Sequence, residues 1–337
     1  MTTDQSLIDV VICTYNNAAM LDRALDGLAR QRDADEELWH VLVVDNNCVD
    51  DTQAVVQTYV QRSSIPGLRS VREPVQGLTP ARLRGVRTST APWIAFVDDD
   101  CVLEPDWIAH ALAFARAHPG VGAFGGRVLL AWEASPPRYI HAFSYSYAEQ
   151  NHGEIEGRVP FLVGAGLVVN RQALATCGWL DEPLLEDRVG RRLVSGGDVE
   201  IVLRISGAGY ALWYLPQCRL RHQIPARRTT WRYLVAVNRR LGISQALADA
   251  LVWPDSTAQW FMESMRRLAR SAHVLAGALV SVVRRQASAR ALFVQTSFEI
   301  GRAQGVMRLL MMSGVRRHLL GAAVPMPHTP AQRRAAG

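Results

Sequence analysis

The sequence predicts an α/β protein built on a mostly parallel sheet flanked by helices, with a helical extension at its C-terminal end. Three observations predict it. Short β-branched or apolar runs at Asp9–Thr14, Trp39–Val44 and Trp93–Val97 alternate with segments whose apolar residues recur at helical spacing. The order β-α-β-α-β-α-β favours parallel strands joined by crossover helices. The 337 residues are 49% hydrophobic and 20% charged, enough to bury a large core.

Each element follows from local chemistry. Asp9–Thr14 (DVVICT) reads as a buried strand, broken at Asn16-Asn17. Met20, Leu21, Ala24, Leu25 and Leu28 give the first helix its stripe within Ala19–Gln31. WHVLVV is the second strand and ends at Asp45; a helix over Asp50–Tyr59 follows, with a carboxylate at its start to suit the helix dipole. A weaker strand lies near Arg69–Val71, then a helix over Gly77–Ser89. WIAFV runs straight into Asp98-Asp99-Asp100, and Pro105 opens a helix over Asp106–His118. Further strands are expected at Phe124–Leu130, Phe161–Asn170 and Ala211–Leu215, the last ended by Pro216. The loop-rich stretch Trp132–Val159 is longer than an ordinary connection and so is expected to be functional. Glycine inside Phe161–Asn170 suggests a close approach to a ligand. Val199–Ser206 reads as a helix ended by Gly207-Ala208-Gly209, and the pattern from Trp231 to about Leu320 is helical.

Charge divides the chain. From Arg221 onward there are 18 arginines against four acidic residues, a balance of +14, while the first 220 residues carry −8. Every basic residue is Arg, and arginine suits bidentate phosphate contacts. The acidic part can hold a metal ion, and the basic part can face phosphates or an anionic membrane surface. No RNA motif or recognition helix stands out, so nucleic acid is not an expected partner. The five cysteines are scattered without a CxxC pair, which fits a reduced, cytoplasmic setting. The first residues lack the basic and apolar regions of a signal peptide, and no apolar run reaches membrane-spanning length.

Ligands of open α/β sheets bind beyond the carboxyl ends of the strands. Tyr15, Asp45 and Asp98-Asp99-Asp100 all stand at such ends. Three adjacent carboxylates repel one another, and a divalent cation with oxygen ligands relieves that repulsion; a solvated acidic turn is the alternative.

Several motifs in order resemble the family 2 glycosyltransferases. They are VVICTYNN (Val10–Asn17), VVDNNCVDDT (Val43–Thr52), GLTPARLRG (Gly77–Gly85) and FVDDDCVLEPDWI (Phe96–Ile108). In the second half they are VGAGLVVNRQALATCGWLDEPL (Val163–Leu184), SGGDVEIVLRISGAGYALWYLP (Ser195–Pro216) and HQIPARR (His222–Arg228). The resemblance spans about Asp9 to Arg228. It implies a GT-A fold with catalytic residues 1–230, of which 1–118 bind the nucleotide-sugar and 119–230 the acceptor. A helical extension at 231–322 and a disordered tail at 323–337 complete the expected organisation.

The implied activity is inverting, metal-dependent transfer of a hexose-like sugar from a nucleotide-sugar, UDP-linked by preference, to an acceptor hydroxyl in polysaccharide, glycolipid or other glycan synthesis. By the resemblance, Thr14, Tyr15, Asn16, Asp45, Arg82, Asp98, Asp99 and Arg228 bind the nucleotide-sugar. Asp100 and His222 ligate Mg²⁺ or Mn²⁺. Asp198 is the base, with Glu200 in reserve, and Trp179 and Asp181 face a glycan or lipid-linked acceptor. Relatives often have a Glu-Asp pair at the base; here it reads Gly197-Asp198. An inactive nucleotide-sugar-binding module is the competing function. A nucleotidyltransferase would need a Gly-rich phosphate loop after the first strand, which CTYNNAAM lacks. Arginines bracket the apolar stretch His273–Val283, which is either a packed helix or a peripheral membrane contact. No feature of the sequence indicates an oligomeric state.

Overall fold

The computed structural model describes residues 6–185, 187–189, 196–251, 257–283, 289–311 and 314. The tail expected to be disordered and the arginines at 284 and 285 lie outside them.

The nucleotide half follows the sequence closely. Strands β1 (Ile8–Thr14), β2 (Trp39–Asp45), β3 (Arg69–Arg72) and β4 (Trp93–Phe96) alternate with helices α1 (Ala18–Ala29), α2 (Thr52–Arg62) and α3 (Leu78–Thr88). β1 pairs in parallel with β2 and β4, and β2 with β3. β1, β2 and β4 are buried on both faces, which is why they read as continuous apolar runs, whereas the edge strand β3 is partly exposed. Val10, Ile12, Val41 and Val43 pack with Leu21, Leu25 and Leu28 of α1 on one face. Val11, Leu42 and Val44 pack with Ala81 and Val86 of α3 on the other.

The second half reverses direction. β5 (Cys101–Leu103) follows the acidic run, then come α4 (Trp107–Ala117), β6 (Ala123–Trp132), β7 (Gly157–Arg158), β8 (Leu167–Asn170), α5 (Arg171–Thr176), α6 (Gly197–Gly207) and β9 (Leu212–Ile224). The sheet order is β3-β2-β1-β4-β8-β6-β9-β5, with β7 on β9. β8 is antiparallel to both β4 and β6, and β5 is antiparallel to β9.

Two expectations need correction. The strand expected over Phe161–Asn170 is a strand only from Leu167, because the glycine-containing segment before it is used to fit a side chain, described below. The strand expected to stop at Pro216 instead runs to Ile224. Its register on β6 jumps from Gly126↔Leu215 to Arg127↔Arg219, so Pro216 sits in a bulge where no ladder hydrogen bond is required of it.

The C-terminal residues form α7 (Trp231–Leu251), α8 (Thr257–Val283) and α9 (Ala289–Met311). α7 and α9 cross with backbones nearly touching: a methyl group on Gly301 would lie 1.8 Å from the Arg239 carbonyl oxygen, and one on Gly242 2.1 Å from that of Phe298. The extension shares cores with the rest of the chain. Ala248, Leu251 and Leu309 pack with Leu185, and Leu234 and Val294 with Ile140, Phe143 and Ile224. His273–Val283 falls within α8, where Ala278 is buried and Leu279 and Val280 are exposed. No helix among the described residues is long and apolar enough to cross a membrane.

Candidate active site

The carboxyl ends of β1, β2 and β4 open onto a cleft of about 240 Å³. Of the residues expected to bind nucleotide-sugar, Thr14, Tyr15, Asn16, Asp98, Asp99 and Arg228 line it, and so does Asp100. Asp45 does not line it; its Oδ1 accepts from the Cys48 N–H at 2.7 Å and fixes the turn beside the rim. Its neighbour Asn46 does line the cleft, while its amide ties the turn at Gly77 to β2: Oδ1 accepts from the Gly77 N–H at 2.7 Å. Asn16 adopts a left-handed conformation (φ 48°), and its Oδ1 accepts from the Val49 N–H, bracing the two loops against each other.

The three aspartates have separate surroundings. Asp99 accepts from the Thr14 hydroxyl at 2.7 Å and from the Asn17 amide at 2.8 Å, so both its oxygens brace the loop after β1. Burial, with the charge of Asp100 added, pushes its pKa up to about 7, although both hydrogen bonds pull the other way. Asp98 lies 3.9 Å from Arg82.

Asp100 is buried; its Oδ2 accepts from Arg228 at 2.9 Å and lies 3.4 Å from His222 Nε2. Burial acts to raise its pKa, but His222 and Arg228 outweigh it and hold the carboxyl well below its ordinary range. Conversely, burial opposes a charge on His222, and Asp100 overcomes it and raises the imidazole pKa. Pairing of β5 with β9 makes this contact: Cys101 faces His222, and the Gln223 N–H donates to the Asp100 carbonyl at 2.8 Å.

Tyr147, which the sequence alone does not single out, orders both partners of Asp100. It ends the 3-10 segment Arg138–Tyr147, inside the stretch expected to be functional. Its carbonyl oxygen is 2.7 Å from His222 Nδ1, so Nδ1 donates there and Nε2 faces Asp100. Its hydroxyl donates to the Arg228 carbonyl at 2.8 Å. A histidine anchored through Nδ1 on a backbone carbonyl is oriented as metal-ligating histidines are. Asp98 and Asp100 present oxygens, with the Cys101 sulfur, within 4.8 Å of one another. Burial drives the Cys101 thiol pKa well upward, which leaves the carboxylates as the hard donors that Mg²⁺ or Mn²⁺ prefers. The residues therefore fit a divalent cation.

A second cavity of about 610 Å³ opens on the other side of the acidic run, and Asp98, Asp100, Arg188 and Arg228 line both. Asp198, the second residue of α6, lines this one. Gly164 makes room for it: a methyl group there would lie 2.4 Å from Asp198 Oδ2. The glycine expected to let a ligand approach thus fits a carboxylate of the protein itself.

Arg82, expected on the donor phosphates, lines the larger cavity and not the donor cleft. It is buried, donates to Asp187 at 2.9 Å and lies over the Phe96 ring, so its charge is consumed within the protein. Trp179, expected on the acceptor side, stands in the core: Gly178 (φ 70°) turns the chain after α5, and the indole is fully buried with Leu174 and Ile201. Asp181 is exposed, and neither residue lines either cavity. Glu200 is fully buried and accepts from the Leu184 and Leu185 N–H groups and from Arg204, so the reserve base is a structural brace.

Comparison with known proteins identifies the family and the fold. The profile of glycosyl transferase family 2 matches residues 9–178, half of the chain. The chain belongs to this family. Over 256 residues it is 25% identical to the glucosyl-dolichyl phosphate glucuronosyltransferase of Haloferax volcanii, covering 74% of this chain and 79% of that one. It is 34% identical to the validoxylamine A glucosyltransferase of Streptomyces hygroscopicus subsp. jinggangensis over 161 residues, 47% of this chain and a third (33%) of that protein. Among solved structures, the mannosyltransferase PcManGT of Pyrobaculum calidifontis, in complex with GDP-Man and Mn²⁺, superposes with a TM-score of 0.61 at 19% identity, covering 91% of this chain and 88% of that one. S. aureus TarS 1–349 with UDP-GlcNAc gives 0.52 at 15% identity, covering 75% and 69%. The fold is thus the GT-A arrangement, and the chain is a glycosyltransferase.

Where the resemblance implied an acidic residue before Asp198, the chain has Gly197. A methyl group at Gly197 would lie 2.5 Å from Asp187 Oδ2, so Asp187 fills the space that a longer side chain would claim. Asn17, Tyr147, Asp187 and Arg188 are the site residues that sequence reasoning missed. Only Asn17, the last residue of the first-strand motif, carried a local signal.

Proposed function

We propose that this glycosyltransferase moves a sugar, with inversion, from a nucleoside diphosphate sugar in the smaller cleft to an acceptor hydroxyl in the larger cavity. One observation carries the proposal: the two cavities meet at Asp98 and Asp100, with Asp198 on the acceptor side. In this reading residues 1–118 hold the donor and 119–230 build the acceptor side. UDP is the proposed carrier by the family resemblance of Val43–Thr52; Asp45 stands beside the cleft rim at the end of β2, with Oδ1 on the Cys48 N–H. Asp100 and His222, with Asp98 beside them, would hold Mg²⁺ or Mn²⁺; such a cation supplies Lewis-acid stabilisation of the leaving diphosphate. Arg228 and Arg188 stand at the same junction to take up the charge that the diphosphate gains. Asp198 accepts the acceptor's hydroxyl proton as the oxygen bonds the anomeric carbon and the bond to the diphosphate breaks. General-base action of this kind is worth about 10²–10⁴-fold in rate.

The relatives' names point to a lipid-linked sugar in one case and to validoxylamine A in another, so the proposed acceptor class is a glycan or lipid-linked sugar. The exposure of Leu279, Val280 and Arg270 on α8 supports peripheral contact with the inner face of a membrane for an acceptor held there.

The test is a thermal-shift screen of UDP-, dTDP- and GDP-sugars with and without Mn²⁺, followed by transfer assays. A Mn²⁺-dependent shift that Asp100→Asn abolishes is expected. Asp198→Ala is expected to bind donor and not transfer; wild-type turnover in that variant would overturn the base assignment. Donor binding by wild type without transfer or donor hydrolysis on a broad acceptor panel would instead identify a binding module.

A further inference from the structure

The extension's contribution to the acceptor cavity is selective in a way that packing does not require. α7 presents Tyr233, Val237 and Leu241, spaced four residues apart and so on one helix face, followed by Ser244 and Gln245. α9 adds Phe298. Among the described residues these six are all that the extension gives the cavity, and none is charged. Its arginines are placed elsewhere: Arg239, between Val237 and Leu241 in sequence, is exposed and donates to Gln304. Phe161 and Val199, the latter next to Asp198, also line the cavity. Phe161 is 37% exposed, and Val237, Leu241 and Phe298 are half-buried, so apolar surface remains open in the cavity.

Polar and apolar requirements are thus separated within one space. The end at Asp98, Asp100 and Asp198 suits a sugar hydroxyl and a diphosphate. The end at α7 offers mainly aromatic and aliphatic surface, from Tyr233, Val237, Leu241 and Phe298, with Ser244 and Gln245 as its uncharged polar groups. At about 610 Å³ the cavity lies within the roughly 300–1,000 Å³ range of sites that enclose drug-sized ligands, larger than one sugar ring requires.

We infer that α7 and α9 form a binding site for an apolar aglycone, an alkyl or aryl group attached to the acceptor sugar, and that the extension is thereby an acceptor-specificity element. This rests on the acceptor assignment of the larger cavity made above.

The experiment measures binding of glucose and of hexyl, octyl and decyl β-D-glucopyranosides by calorimetry, in the presence of UDP and Mn²⁺ and below micelle formation. A fully buried methylene tightens binding about fourfold. A gain of at least roughly fivefold from hexyl to octyl is therefore expected even with the chain partly wet. Leu241→Gln and Val237→Asn should each cut that gain to under about twofold, and Leu241→Met should retain it; thermal melts confirm that each variant folds. A flat chain-length series in wild type would overturn the inference. So would a gain that survives both polar substitutions, because the alkyl chain would then bind elsewhere. The UDP and Mn²⁺ thermal shift of wild type separates the two readings. Its absence sinks the donor assignment, whereas its presence beside a flat series sinks only the aglycone site.

Discussion

Substituting Gly164 by alanine tests the catalytic geometry with a single methyl group. The added Cβ would lie 2.4 Å from Asp198 Oδ2, 2.6 Å from its Cβ and 2.9 Å from its Cγ. Ordinary van der Waals contact begins near 3.4 Å, so the Asp198 side chain must retreat by about 1 Å. Alanine is otherwise suited to the position, since Gly164 is not among the glycines with positive φ. A misplacement of about 1 Å can cost on the order of 10²-fold in rate, because the base must meet the attacking hydroxyl within hydrogen-bond reach. Gly164→Ala should therefore lower kcat by about 10²-fold. The donor cleft does not include Gly164, so the thermal shift with UDP-sugar and Mn²⁺ should persist. Gly157→Ala is the control: nothing lies within 4 Å of where its methyl group would sit, and kcat should stay within about twofold of wild type. Wild-type kcat in a folded Gly164→Ala would refute the placement of Asp198 as base.

Other consequences are open to measurement. Glu200→Ala strands the Arg204 guanidinium and two backbone N–H groups, and should cost about 3–5 kcal/mol in urea unfolding; an unchanged stability with lost turnover would instead return Glu200 to the list of bases. Tyr147→Phe removes one hydrogen bond to the Arg228 carbonyl but keeps the carbonyl that holds His222, so stability should fall by about 1 kcal/mol while Mn²⁺ affinity holds. Burial pushes the Cys48 thiol up to about 11 from 9.0, so its thiolate fraction at pH 8 is about 100-fold below that of an unperturbed thiol. Alkylation of Cys48, followed by mass spectrometry, should accelerate about tenfold per pH unit up to about pH 11; a rate at pH 8 equal to that of a free thiol would contradict this.

How much of this was legible depended on whether the deciding partner lay nearby in sequence. The strands β1, β2 and β4 were legible because burial on both faces leaves an unbroken apolar run, and their polar ends marked the cleft. The reach of β9 past Pro216 was not, since the bulge that accommodates proline exists only against Gly126 and Arg127 of β6. Arg82 stands in the second turn of a helix that follows a glycine, which is how a phosphate contact reads in a sequence. The carboxylate that consumes its charge, Asp187, comes more than a hundred residues later. Trp179 beside Gly178 resembles a binding platform for similar reasons, and only the packing of α5 and α6 shows the indole sealed in the core.

The base region shows what an absent side chain can mean. Read as a string, Gly197 before Asp198 is a loss against the Glu-Asp pair that the resemblance implied. In the structure the loss is matched by a gain. Asp187 brings a carboxylate within 2.5 Å of where a Gly197 side chain would begin, and Arg82 holds it at 2.9 Å. Gly164 clears the other side of Asp198. A glutamate at 197 would collide with Asp187, and an aspartate at 187 without Arg82 would be a buried unpaired charge. Gly197, Asp187 and Arg82 therefore form one unit spread over three distant segments, and Gly197→Glu should impair the enzyme rather than restore it. Measured beside Gly197→Glu/Asp187→Gly, which frees the contested space, the single substitution should show the larger loss of kcat. If the double variant is no better than the single, Asp187 does not occupy the place of the missing acid.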